Sequence, residues 1–192
     1  MLTDVLDNRS LGLCTFYPSG EFKEQSLTYL LDDDIGLAHL NPKYLGNQLD
    51  PIGVSIMVDS RDSDGNKYLL VDEVCGGFAL GRIKPSVWVP MVHEGHIKIA
   101  QNLNAKGIIY NVSVMEETAK MVNRFLEKKY DKQLTSMYLS KAHGRKALDR
   151  FYNNSQEDGK NDYIYVEAFR NNRAGFPLEG NVSGLIFPIN EN

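Results

Sequence analysis

The sequence contains few cysteines and no long apolar segment. Its 192 residues include only two cysteines, Cys14 and Cys75, which can form one disulfide at most. No apolar run approaches the roughly 18–20 residues that a membrane-spanning helix requires. The first ten residues are polar and acidic, and they lack the basic and apolar regions of a secretory signal. We therefore expect free thiols and a cytoplasmic protein without membrane association.

The sequence also lacks an excess of positive charge. Its formal net charge is −4, whereas sequence-independent nucleic-acid binding relies on a basic surface that neutralises phosphates. The one locally basic stretch, residues 141–150, is short. DNA and RNA are therefore disfavoured as partners. Apolar residues make up 42% of the chain and charged residues 24%, which is typical of a globular protein.

Apolar patterns predict several strands and two helices. Residues 54–58 alternate, residues 68–71 are continuously apolar, and the polar loop between them contains Asp64-Gly65, which is the pattern of a β-hairpin. Helices are predicted over residues 88–105 and 116–130, and further strands at 108–114, 134–139, 163–169 and 185–189. The resulting order from residue 53, β-β-α-β-α-β-β, implies an α/β (α+β) fold with parallel and antiparallel strands in one sheet covered by helices.

This order of elements resembles the core of the GNAT acyltransferase superfamily. The resemblance implies a single mixed, mostly antiparallel sheet flanked by helices. It also implies that acetyl-CoA or another acyl-CoA binds where two parallel strands part, here Tyr68–Val74 and Ile108–Val114. We expect one domain over residues 1–192. Residues 1–52 would form strands and hairpins, residues 53–170 the GNAT-like core, and residues 171–192 a C-terminal extension with one strand.

The resemblance places the cofactor on the loop after the first of these parallel strands. Residues 75–82 contain three glycines and an arginine, which a phosphate-binding loop requires. The residues expected to contact the cofactor are Val74, Gly76, Gly77, Gly81 and Arg82. Their spacing departs from the family's Arg/Gln-x-x-Gly-x-Gly/Ala motif, so the chain resembles a degenerate member.

Four residues are candidates for catalysis. The carboxylates of Asp72 and Glu73 end the central strand, where one of them could accept a proton from an amine. Tyr138 is the candidate for returning a proton to the departing thiolate. Cys75 follows the same strand, and a nucleophilic role for it would require a base, such as His93 or His96. The alternatives are a paired carboxylate, a packed tyrosine and an inert buried thiol.

Two further motifs invite metal binding, but their spacing argues against it. Residues 59–66 alternate carboxylates before a glycine, yet alignment with a calcium-binding EF-hand loop puts Ser60 and Val71 where acids are required. A solvated hairpin tip is predicted instead. His93-Glu94-Gly95-His96 has the two histidines three residues apart rather than the four of the zinc metalloprotease motif. We predict packed histidines and no metal.

Two functions follow from these patterns. The first is transfer of an acyl group from acyl-CoA to a small-molecule or peptide amine. The alternative is a non-catalytic domain that binds a small molecule or a protein on a degenerate GNAT scaffold. The order of strands favours the first function and the altered phosphate loop favours the second.

Overall fold

The computed structural model describes residues 34–40, 53–76, 80–113, 117–142 and 179–189. The strands are β1 (Ile35–Leu40), β2 (Gly53–Arg61), β3 (Lys67–Gly76), β4 (Gly107–Asn111), β5 (Leu134–Lys141) and β6 (Glu179–Pro188). The helices are α1 (Pro85–Asn102) and α2 (Glu117–Tyr130), and a 3-10 turn spans Leu80–Arg82. The predicted helices and strands in these ranges are confirmed, although β6 begins six residues before the strand predicted at 185–189. The predicted strand at residues 163–169 lies outside them, and the division of the chain into segments stays a prediction.

The strands β2 and β3 form the predicted hairpin. At its tip the Asp62 carboxylate accepts hydrogen bonds from the backbone N–H groups of Asp64, at 3.0 Å, and Asn66, at 2.8 Å, and from the Asn66 side-chain amide, also at 2.8 Å. Gly65 adopts a φ of 81°, a conformation that glycine tolerates best. The Asp62 carboxylate therefore closes the turn itself, which agrees with a solvated tip.

The strands form one sheet that closes on itself. Their order is β1-β2-β3-β4-β6-β5, and β5 also pairs with β2. β3 and β4 are parallel, and all other pairs of described strands are antiparallel. The closing contact joins Ser60 to Lys141 and Arg61 to Ser140. Five strands thus make a closed barrel, and β1 lies beside β2.

Each face of the sheet has its own apolar cluster. The inner cluster contains only strand residues among those described: Val58, Tyr68, Leu70, Ile109, Leu139 and Val182. The outer cluster combines residues of α1 and α2, such as Trp88 and Leu126, with strand residues that alternate with the inner set, such as Leu69 and Ile108. In the described ranges both helices therefore cover the outer face, and the strands cover the inner face themselves.

The prediction of an open, helix-flanked sheet of the GNAT type is wrong. The protein has a small mixed α+β fold. Among the described residues, the inner face of each barrel strand packs against other strands of the same sheet and not against a helix. Apolar periodicity predicted the helices and strands of the described ranges. It did not distinguish a covering helix from a returning strand, because closure depends on pairing between β2 and β5, which are far apart in the sequence.

Candidate functional site

The parallel strands β3 and β4 part near their carboxyl ends. Their pairing ends at Val71 and Tyr110, although β3 continues to Gly76. The pairing of β2 with β3 is irregular at the same level, since Ile56 lies opposite Glu73 and Met57 lies opposite Val71. Asp72 is therefore the extra residue of a β-bulge. Such bulges redirect side chains and are frequent beside active sites.

The carboxyl of Asp72 lies where the strands part and is held by Asn111. The Asn111 side-chain amide donates a hydrogen bond to Asp72 Oδ1 at 2.8 Å, and the Asn123 amide of α2 donates one to the Asn111 carbonyl at 2.8 Å. Burial raises the pKa of Asp72 above its ordinary value, and this effect exceeds the opposing effects of the Asn111 hydrogen bond and the Lys141 charge. A carboxyl perturbed in this way is a candidate for binding or proton transfer.

A buried lysine influences this carboxyl from the inside of the barrel. Lys141 is 7% exposed, and it shares its face of β5 with Met137 and Leu139 of the inner cluster. Its positive charge favours the ionised form of Asp72. The sequence placed Lys141 only in a basic stretch, since nothing local to it indicates that β5 turns this side chain inwards.

Packed side chains fill the space next to the end of β3. A Cβ atom added at Gly76 would lie 2.8 Å from Leu80 Cδ2 and 3.0 Å from Thr118 Cγ2. The first turn of α2 therefore lies directly against the strand. Val74 and Cys75 are buried beside it. The contacts at Gly76 therefore place packed side chains beside the end of β3, where the resemblance implied an acyl-CoA site.

The other residues predicted to bind the cofactor lie in the segment that follows β3. Gly81 and Arg82 are exposed on the 3-10 turn, and Gly77 lies outside the described residues. Lys84 precedes α1 without a side-chain cap, and Pro85 occupies its first turn.

Three of the predicted catalytic residues lie on β3, and the fourth, Tyr138, lies on β5. Glu73 is partly buried next to Asp72, so these two remain together. Cys75 lies opposite Val54, on the face away from the histidines proposed as its base. Tyr138 is 43% exposed and points outwards from β5, since its neighbours belong to the inner cluster.

A second polar cluster, which the sequence did not predict, lies buried beneath α1. Ser55 Oγ is 2.9 Å from His96 Nε2, and His96 Nδ1 is 2.9 Å from the Tyr110 hydroxyl. The same hydroxyl is 2.8 Å from His93 Nδ1. None of the four residues is more than 5% exposed. We call this set, Ser55, His96, Tyr110 and His93, the core hydrogen-bond chain.

Both histidines of the core hydrogen-bond chain are neutral at neutral pH. Burial, and next the charge of Lys129, lowers the pKa of His93 to about 4. Burial, and next the charge of His93, lowers the pKa of His96 to about 3. The Ser55–His96 pair has the form of a nucleophile and its base. A histidine with such a low pKa is a poor base and Ser55 is 1% exposed, so we do not assign nucleophilic catalysis to it.

The sequence gave partial signals for this cluster. The spacing of His93 and His96 indicated one helix face, and the prediction that His96 is packed agrees with its burial. Their partners Ser55 and Tyr110 belong to strands that are distant in the sequence. No local pattern distinguishes these two residues from other strand residues.

Two properties of the described ranges concern metals and membranes. These ranges contain no group of three or more histidine, cysteine, aspartate or glutamate residues placed to bind a metal. None of the helices they contain is long and apolar enough to cross a membrane.

Comparison with known proteins identifies no family for this chain. No family model matches it. No match is found among curated proteins or among solved structures. Its function must therefore be inferred from the geometry of its own residues.

Proposed function

We propose that the domain binds a small-molecule or peptide amine at the carboxyl end of β3, without catalysis, and that Asp72 holds the amine. The observation that carries this proposal is the Asp72 carboxyl, which lies on a bulge where the only parallel pair of described strands parts. Ligands of sheets with parallel strands commonly bind outside the carboxyl ends of those strands.

The chemistry of the site suits a cationic ligand. Burial makes the ionised form of Asp72 costly, and an ammonium group placed beside it would repay that cost. Asn111 donates a hydrogen bond to Asp72 Oδ1, and the ligand would bind the other carboxyl oxygen. Glu73 adds a second carboxylate next to it in the chain. The packing of Thr118 and Leu80 around Gly76 supports a small ligand over a nucleotide thioester.

Calorimetric titration with small primary amines tests this proposal. We expect binding to the full chain, and we expect Asp72→Asn to weaken it at least tenfold, because the variant keeps the hydrogen bond from Asn111 but loses the charge. Asp64→Asn is the matched control, since Asp64 is an exposed residue of the hairpin tip and its substitution should leave the affinity unchanged. Equal affinities in all three proteins would contradict the proposal.

Acyl transfer to the same amine is the second candidate function. It is favoured by the raised pKa of Asp72, because a carboxylate with a raised pKa is a better acceptor of the ammonium proton. In this function acyl-CoA would bind near Val74, beside the first turn of α2 that packs against Gly76. We derive no catalytic step for the cofactor from the present arrangement.

Acetyl-CoA distinguishes the two candidates. At about a hundred times its dissociation constant it would stabilise the fold by about 2.7 kcal/mol in a thermal shift assay. Stabilisation together with amine-dependent release of thiol would favour acyl transfer. No shift at millimolar acetyl-CoA, with amine binding retained, would favour the non-catalytic domain.

A further inference from the structure

The core hydrogen-bond chain joins three elements of the fold. Ser55 belongs to β2, His96 and His93 to α1, and Tyr110 to β4. Its three contacts measure 2.8 to 2.9 Å, which is hydrogen-bond distance for each. The central contact is unusual because one hydroxyl meets the Nδ1 atoms of two different histidines.

The number of protons in the core hydrogen-bond chain restricts the directions of its hydrogen bonds. A neutral imidazole carries one N–H, and the Tyr110 hydroxyl carries one proton. The hydroxyl can therefore donate to only one of the two Nδ1 atoms. Two bare Nδ1 atoms cannot both be satisfied by a single O–H. Two protonated Nδ1 atoms would both donate to the hydroxyl oxygen and leave the O–H without an acceptor among the described side chains that it contacts. The other Nδ1 therefore carries its own proton and donates to the hydroxyl oxygen.

We infer that His93 and His96 hold opposite tautomers, and that the two tautomers change only together through the Tyr110 hydroxyl. In one arrangement Ser55 donates to His96, His96 donates to Tyr110, and Tyr110 donates to His93, which keeps its proton on Nε2. In the other arrangement His93 donates to Tyr110, Tyr110 donates to His96, and His96 donates to Ser55. Both arrangements contain four protons and neither introduces a net charge.

The two arrangements differ at the ends of the chain. In the first, the Ser55 hydroxyl proton is used by His96. In the second, the Ser55 oxygen accepts a hydrogen bond from His96, and the Ser55 hydroxyl keeps its proton and donates it in a hydrogen bond to another acceptor. A group that donates to or accepts from His93 Nε2 therefore selects an arrangement and sets the hydrogen bonding of Ser55, at the other end of the core hydrogen-bond chain. This switch is independent of the function proposed for Asp72.

The surroundings of His93 favour a tautomeric switch over one driven by protonation. The His93 ring packs against Phe187, with centroids 4.6 Å apart, and against Tyr130, at 5.4 Å. Lys129 lies over the Tyr130 ring and Lys132 over the Phe187 ring. Burial, and next the charge of Lys129, oppose a positive charge on His93. Its remaining freedom is the choice of which ring nitrogen carries the single proton.

The unmodified full chain provides the first test. Nuclear magnetic resonance of the protein labelled with ¹⁵N-histidine reports which ring nitrogen carries the proton. The signals of the two residues are assigned with His93→Gln and His96→Gln. At about neutral pH we expect Nδ1–H in one histidine and Nε2–H in the other. The same tautomer in both, or an imidazolium in either, would overturn the inference.

Two substitutions test whether the tautomers are linked. Ser55→Ala removes the hydroxyl at one end of the core hydrogen-bond chain. We expect this substitution to change the tautomer populations of His93, which Ser55 does not contact. In a Tyr110→Phe background the same substitution should leave His93 unchanged. Tyr68→Phe is the control for loss of a tyrosine hydroxyl, because Tyr68 is buried in the inner cluster. The link would be refuted if Ser55→Ala changed the tautomer populations of His93 in the Tyr110→Phe background. It would also be refuted if Ser55→Ala left them unchanged in the Tyr68→Phe background.

Discussion

Acidification should destabilise the fold through the two buried histidines. Burial lowers the pKa of His93 to about 4 and of His96 to about 3, from an ordinary value of 6.5. Between the ordinary and the lowered values, the unfolded chain binds protons that the folded chain does not. The free energy of unfolding therefore falls as the pH falls through this window.

The size of the effect follows from the pKa values. Each proton bound only by the unfolded state changes the free energy of unfolding by about 1.4 kcal/mol per pH unit, so two protons change it by about 2.7 kcal/mol per pH unit. The complete losses are about 3 kcal/mol for His93 and about 5 kcal/mol for His96. Their sum is comparable with the total stability of an ordinary domain, about 5–15 kcal/mol. We expect the fold to unfold before His96 titrates.

Urea unfolding followed by circular dichroism measures this slope. Between about pH 6 and pH 5 the slope should approach 2.7 kcal/mol per unit in the natural chain and about half of that in His96→Gln. This range lies above the ordinary pKa values of carboxylates, which limits their contribution. A slope below about 1 kcal/mol per unit, or one that His96→Gln leaves unchanged, would refute the reasoning.

Three further predictions concern stability. Tyr110→Phe should destabilise by about 1–3 kcal/mol or more, because it leaves the Nδ1 atoms of both buried histidines without their hydrogen-bond partner. Tyr130→Phe, at a 41% exposed residue, should cost less than about 0.5 kcal/mol in the same urea assay. Asp72→Asn should raise the melting temperature at neutral pH, because the raised pKa of Asp72 in the folded state means that its ionisation lowers the stability of the fold. This gain should disappear in acid, where Asp72 is protonated. A lower melting temperature at neutral pH would contradict the prediction. Gly184→Ala should destabilise by about 1–3 kcal/mol, since its Cβ would lie 2.6 Å from Ile109 Cγ2 and 2.7 Å from the Tyr110 carbonyl oxygen. Gly95→Ala, in a helix with nothing within 4 Å, should stabilise by roughly 0.5–1 kcal/mol, and equal melting temperatures for these two variants would contradict the steric argument.

Local patterns sufficed for the elements of the fold but not for their assembly. The hairpin around Gly65 and the two helices were predictable because turn residues and apolar spacing act within a few residues. Closure of the barrel was not, since the pairing of Ser60 with Lys141 joins segments that no local pattern connects. The expected helix layer on the inner face is therefore replaced by strands.

The candidate site was predictable in part for the same reason. Asp72 could be singled out as a carboxylate at the end of a central strand. The bulge that redirects it, its partner Asn111 and the nearby charge of Lys141 depend on register and closure. The core hydrogen-bond chain depends on contacts such as Ser55 to His96. In sequence alone, a serine in a strand and a histidine in a helix give no indication that they meet.

The closing contact between β2 and β5 is the shortest pairing in the described sheet. It consists of two residue pairs, while every other pairing of described strands has at least four. Separating β2 from β5 breaks few backbone hydrogen bonds. Opening the barrel therefore costs the least free energy at this pairing. Because Lys141 belongs to that pairing, a brief local opening would bring water to the interior while the hairpin and the helix layer stay folded.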